Sequence, residues 1–171
     1  QPFPVNLHIS NVSFVLSASN STGTSIRGGW GSIVENSSFT GFDWGSGIHI
    51  GGDGTYNTSS HPQLITIRDN VFNSCTPINT IKGTCTNSCE ALNIIGNKFN
   101  FVQAITLNTV NASVISNNYI VFNSESLLIT DSGACVLTDN YIQVAQASGG
   151  ASYTGCVRFT NSPRCSVDNN T

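Results

Sequence analysis

Val114-Ile115-Ser116-Asn117-Asn118-Tyr119 returns 22 residues later as Val136-Leu137-Thr138-Asp139-Asn140-Tyr141, and two earlier versions end in Phe99 and Phe72 (Ile94-Ile95-Gly96-Asn97-Lys98-Phe99 and Ile67-Arg68-Asp69-Asn70-Val71-Phe72). Set on the aromatic, the copies fall at Phe14, Phe39, Phe72, Phe99, Tyr119 and Tyr141, with gaps of 25, 33, 27, 20 and 22 residues. Self-similarity at such a period marks stacked repeats. Five positions before each aromatic stand Ile9, Val34, Ile67, Ile94, Val114 and Val136, an unbroken β-branched row. Between row and aromatic lie Asn11-Val12, Asn36-Ser37, Asp69-Asn70, Gly96-Asn97, Ser116-Asn117 and Thr138-Asp139. These are turn residues: Asn, Asp and Gly tolerate a left-handed backbone, and stacked Asn side chains can bond to their equivalents one repeat away.

A second strand in each repeat is marked by Gly47-Ile48-His49-Ile50, Ala104-Ile105-Thr106-Leu107, Leu127-Leu128-Ile129 and Cys156-Val157-Arg158-Phe159. From there to the turn the spacing is constant: Leu107 to Val114, Ile129 to Val136 and Phe159 to Ser166 are each seven residues. Length varies elsewhere, in 15–25, 51–63, 73–91 and 143–154, segments rich in Ser, Thr, Gly and Asn that read as loops. Helical periodicity is absent, and β-branched and aromatic residues fill the short apolar runs. An antiparallel sandwich also has short strands at close intervals, but it does not require recurring aromatic and Asn slots. The expected fold is all-β: a single-stranded right-handed parallel β-helix, a solenoid of about six to seven coils with loop insertions, spanning 1–171 as one domain.

Of 171 residues only 15 are charged, 6 basic and 9 acidic, against 21 Asn and 40 Ser plus Thr. Such a chain has no electrostatic footprint for nucleic acid. No run reaches the roughly 18 apolar residues of a membrane helix, so no membrane partner is expected. Met is absent, so Gln1 is not a translational start, and Cys165-Ser166-Val167-Asp168-Asn169-Asn170-Thr171 stops inside a seventh copy of the motif. The expectation is a processed chain or a segment of a longer one, its open end continued by more chain or covered by a neighbour.

Six Cys lean towards an oxidising compartment. Cys75, Cys85 and Cys89 form one group in the sequence, and Cys135, Cys156 and Cys165 another. At most one bridge within each group is expected, with Cys135 and Cys165 the best pair because they hold equivalent positions one coil apart. Cys85 and Cys89 have no second Cys/His pair at zinc-ligand spacing, and no metal or other cofactor is expected. If the β-branched row is buried, the residues after it (Ser10, Glu35, Arg68, Ile95, Ile115, Leu137 and Val167) point outwards. Glu35 and Arg68 then pair across adjacent coils, and the apolar members form either an exposed stripe suited to self-association or a row half-buried under a loop or partly internal at a flattened corner.

These residues resemble the right-handed parallel β-helix proteins of the pectin-lyase-like superfamily, and within it the phage tailspike and tail-fibre branch. The resemblance covers about residue 5 to 171 and is carried by the hexamers ending in Phe72, Tyr119 and Tyr141. It implies an extracellular or virion-surface fibre that recognises host-surface glycans and assembles as a homo-oligomer, a trimer, or end to end. A polysaccharide lyase or glycoside hydrolase of the same fold is the second expectation, and a purely structural shaft or extracellular filament subunit the third. The low charge and the six Cys depart from what the resemblance leads one to expect of a tailspike.

Hydrolysis of a glycosidic bond needs two carboxyl groups about 5 to 9.5 Å apart. Asp69, Asp139 and Asp168 belong to the turn row, Asp131 to the turn Thr130-Asp131-Ser132-Gly133, and Glu35 has Arg68. The polygalacturonase-type elements of the resembling superfamily (Asn-Thr-Asp, Asp-Asp, His-Gly and Arg-Ile-Lys) do not occur, so no catalytic residue is assigned. An aromatic platform with acids and polar hydrogen-bonders does occur at 43–56, making Asp43, Trp44, His49, Asp53 and Tyr56 the candidate carbohydrate-binding cluster. Six Asn-x-Ser/Thr sequons are present where about five would arise by chance; Asn20 and Asn57, in expected loops, are the glycosylation candidates.

Overall fold

The structure, a computed structural model, describes residues 6–16, 22–26, 31–41, 46–50, 63–80, 89–123, 127–145 and 156–171. It is all-β, with no helix among the described residues. Strands His8–Ser10, Ile33–Glu35, Thr66–Arg68, Asn93–Ile95, Val114–Ser116, Val136–Thr138 and Ser166–Asp168 form a seven-stranded sheet in sequence order. A second sheet of six holds Ser13–Leu16, Ser38–Gly41, Val71–Asn73, Lys98–Val102, Tyr119–Phe122 and Tyr141–Val144. A third holds Thr22–Ile26, Ser46–Ile50, Thr76–Thr80, Ile105–Asn108, Leu127–Thr130 and Val157–Thr160. Every pairing is parallel, and each repeat visits the three sheets in the same order. Cys89–Glu90 and Val110–Asn111 add a short parallel pair beside them.

The left-handed turn expected between the first two sheets is present in every repeat. Asn11, Asn36, Asp69, Asn117, Asp139 and Asn169 have φ between 47° and 58°, and Gly96 has φ 67°. The residue after each points inwards, and from Asn70 onwards it is an amide. Asn97 Oδ1 accepts from the Asn70 backbone N–H at 3.0 Å and from Asn70 Nδ2 at 3.1 Å, while Asn97 Nδ2 donates to the Ile67 carbonyl at 2.9 Å. Asn118, Asn140 and Asn170 repeat the arrangement. Four members, Asn70, Asn97, Asn118 and Asn140, are no more than 2% exposed. Burying an amide costs free energy unless its groups are bonded, and here each nitrogen and oxygen has partners.

Beyond the amides lies a column of stacked rings. Phe14, Phe39, Phe72 and Phe99 follow one another at centroid separations of 4.7, 4.8 and 4.8 Å, nearly parallel. Phe39, Phe72 and Phe99 are fully buried, each side chain contributing about 1.5–3 kcal/mol by leaving water. The stack presses on a column of compact residues in the third sheet. A Cβ on Gly47 would lie 2.7 Å from the Pro77 carbonyl oxygen and 3.1 Å from the Phe72 ring; one on Gly23 would lie 2.9 Å from the Phe39 ring.

The aromatic column does not continue into Tyr119 and Tyr141. Phe99 pairs with Ile120, and Lys98 with Tyr119; Ile120 then pairs with Ile142. The tyrosines stand one residue after the buried Asn, the phenylalanines two. Because strand side chains alternate, that single residue changes the face. Tyr119 and Tyr141 are 43% and 42% exposed, stacked on each other at 4.9 Å, whereas Ile120 is buried. The same shift corrects the first sheet. Its inward column runs Ile9, Val34, Ile67, Ile94, Ile115, Leu137 and Val167. Ile115 and Leu137 are each 1% exposed, so the expected outward apolar stripe does not exist. Val136, assigned inwards by the sequence, faces out. A second correction concerns 15–25 and 73–91, where Thr22–Ile26 and Thr76–Thr80 are strands of the third sheet rather than loop.

A separate irregularity follows in the second sheet. Lys98–Val102 has five residues against four in Tyr119–Phe122, and the pairing register shifts between Phe99 and Val102. The extra residue, Phe101, is held at φ 47° with its side chain 57% exposed. This is the geometry of a β-bulge.

Candidate functional site

The sequence-derived carbohydrate cluster lies mostly outside the described residues. Asp43, Trp44, Asp53 and Tyr56 fall there. The backbone of His49 pairs with Ser25 and Asn79 in the third sheet, and its side chain is outside the description. Asn20, Asn57 and Cys85 are likewise outside, as is the Cys89 side chain. Of the other cysteines, Cys75, Cys135, Cys156 and Cys165 are free thiols. Cys135 and Cys165 do occupy equivalent places immediately before the paired residues Val136 and Ser166, but they are not bonded to each other. Burial pushes the thiols of Cys75 and Cys135 up to about 12, that of Cys135 with help from Cys165. Neither is a nucleophile at neutral pH. Among the described residues no group of three or more His, Cys, Asp or Glu is placed to hold a metal ion.

The described polar chemistry gathers along the outside of the left-handed corner. On the first sheet Glu35 pairs directly with Arg68, as the row had implied. Arg68 Nε and Nη2 donate to Glu35 Oε2 at 2.7 and 2.6 Å, and His8 Nε2 donates to Oε1 at 2.8 Å. The His8 hydrogen bond, followed by that of Arg68, holds the Glu35 carboxyl below the usual range. Glu35 is thus an ionised, occupied carboxylate, unsuited to donate a proton as a general acid.

Beside this row is an open depression lined by the corner residues Asn11, Asn36 and Asp69, by Val12 and Ser37, and by Ser13, Ser38 and Val71. Register explains it. Ser13, Ser38 and Val71 occupy the column that continues as Lys98, Tyr119 and Tyr141. Where later repeats project long side chains, the early ones leave space. Several lining groups are already engaged: Ser38 Oγ donates to Ser13 Oγ at 3.0 Å, Ser37 Oγ accepts from the Val12 N–H at 3.1 Å, and Asn11 Nδ2 donates to Ser10 Oγ at 3.0 Å. The Asn36 amide and the Asp69 carboxylate have no side-chain partner among the described residues. Past the depression, Lys98 Nζ sits 6.0 Å from the Tyr119 ring centroid, and Tyr141 OH donates to Gln143 Oε1 at 3.0 Å.

This arrangement can bind through amide, carboxylate and hydroxyl groups beside small apolar surfaces; among the described residues it contains no opposed carboxylate pair. The sequence does not announce it, because Asn11, Asn36 and Asp69 read wholly as turn formers. The signal that could have found it is the drop in side-chain size at Ser13, Ser38 and Val71. Comparison of the chain with protein families, with curated proteins and with solved structures finds no match.

Proposed function

We propose that the chain is a right-handed parallel β-helix, part of an extracellular or virion-surface fibre that recognises surface glycans. The observation that carries this reading is the polar depression on the outside of an in-register, all-parallel stack. Sugars are recognised by hydrogen bonds to hydroxyls and by contact with C–H surfaces, and Asn36, Asp69 and Val71 offer both on elements fixed by the amide ladder. The resemblance of the repeats to tailspike proteins supports the same reading.

Catalysis has weaker support, since Glu35 is committed to His8 and Arg68 and the remaining corner acids alternate with Asn and Gly. Trimeric assembly is proposed on the resemblance alone, because the apolar stripe that favoured it lies in the core. A panel of neutral and acidic oligosaccharides tests the reading: binding without new reducing ends or unsaturated products is expected. Turnover would move the assignment to a lyase or hydrolase, and no binding to any glycan would sink it. Light scattering tests assembly, with a mass of three chains expected.

A further inference from the structure

We infer that the depression selects an uncharged oligosaccharide and rejects acidic ones; this rests on the glycan-recognition reading and names its ligand class. The groups left open there are those that a pair of neighbouring sugar hydroxyls requires. The Asn36 amide supplies two donors and an acceptor, and the Asp69 carboxylate accepts only. The carbonyl oxygen of Asn11 remains an acceptor, since only its nitrogen is used, on Ser10. The half-buried Val71 gives C–H groups of the ring an apolar surface.

Charge then decides the class. Among the described residues Asp69 is the only formally charged one lining the depression, and its carboxylate carries no counter-ion there. The nearest cation along the chain, Arg68, is already neutralised by Glu35. A uronate or sulfate placed here meets a like charge without compensation, and such juxtaposition costs affinity. Hydroxyls instead gain a charge-assisted acceptor. The one group that opposes this is Lys98, which follows Val71 in the same column and has no carboxylate partner among the described residues. It lies against Tyr119, one repeat beyond the lining residues.

The test is calorimetric titration of the whole chain with two oligosaccharide sets of matched length, one of neutral hexoses and one containing uronic acids, at low and high salt. The neutral set should bind with an affinity that salt does not change. Asn36→Gly, which retains the left-handed backbone, should weaken that binding about tenfold, the scale of one or two hydrogen bonds. Asp69→Asn should keep neutral binding within about threefold and narrow the preference over the acidic set. Melting curves of both variants confirm that they are folded, and Asn36→Asp serves as the second variant if Asn36→Gly is not. Acidic binding that weakens with salt and disappears in Lys98→Gln overturns the inference while leaving glycan recognition standing. Neutral binding indifferent to Asn36→Gly, or a preference over the acidic set unchanged in Asp69→Asn, also overturns it. Failure of both sets to bind removes the glycan reading itself.

Discussion

The first four repeats and the last two solve the same packing problem with different residues. In the early repeats a buried phenylalanine stands two positions after the inward residue of the corner; in the later ones Ile120 and Ile142 take that place, and tyrosines occupy the position between. The amide ladder from Asn70 to Asn170 runs through both regions without interruption. The difference teaches that the buried amide, not the aromatic ring, sets the register. An aromatic side chain can serve either face of a strand; an amide that must satisfy a donor in one repeat and an acceptor in the next cannot.

The sharpest way to break this comparison is a charge on each side of the shifted register. Ile120→Asp should unfold the protein, a loss above about 4 kcal/mol, while Tyr119→Asp should leave melting nearly unchanged. The reverse order in thermal or urea melts would restore the aromatic alignment. Next in size, Phe72→Ala should cost about 3–5 kcal/mol and Tyr141→Ala less than about 1. Equal losses would mean that the two ring columns are alike. Asn118→Ala should cost about 2–4 kcal/mol, because it strips the acceptor from the Asn97 N–H and leaves the Ile94 and Ser116 carbonyls without their donor. An effect below that of Tyr141→Ala would argue against the amide as the ruler.

The smallest expected effect is the pH response of Glu35. Its folded pKa is lowered from 4.5, so its contribution is present above that value and fades as pH falls through the window beneath it. Glu35→Gln should flatten the acid limb of the stability profile slightly, as read from melting temperatures between pH 3 and 6 at low salt (roughly the carboxylate range). An unchanged limb would mean that the ion pair with Arg68 is idle, as many exposed pairs are.

Much of the fold was legible in the sequence. The seven-residue spacing from Leu107 to Val114, repeated twice, places two of the three sheets in register, and Asn11, Asn36, Asp69 and Asn117 announce their left-handed turns. Tyr119 and Tyr141 misled because they sit in hexamers otherwise like those ending in Phe72 and Phe99, and a period of two hides a slip of one until partners are seen. Strands Thr22–Ile26 and Thr76–Thr80 were missed for a different reason. Gly23 and Pro77 are poor strand formers, and the crowding beneath the Phe39 and Phe72 rings is what calls for compact residues in that column. The depression was illegible because a hollow is made by what its residues lack. Ser13, Ser38 and Val71 acquire meaning only when Lys98, Tyr119 and Tyr141 are set beside them.

One property of the ladder reaches beyond packing. Every Oδ1 in it accepts from the repeat before, so the side-chain dipoles all point one way. Aligned bonds of this kind polarise one another. The column is therefore vectorial, and an amide in its middle is strengthened from both sides. Equivalent substitutions should thus be felt more at Asn97 or Asn118 than at Asn70, which is equally buried but has Ser37 rather than an amide before it.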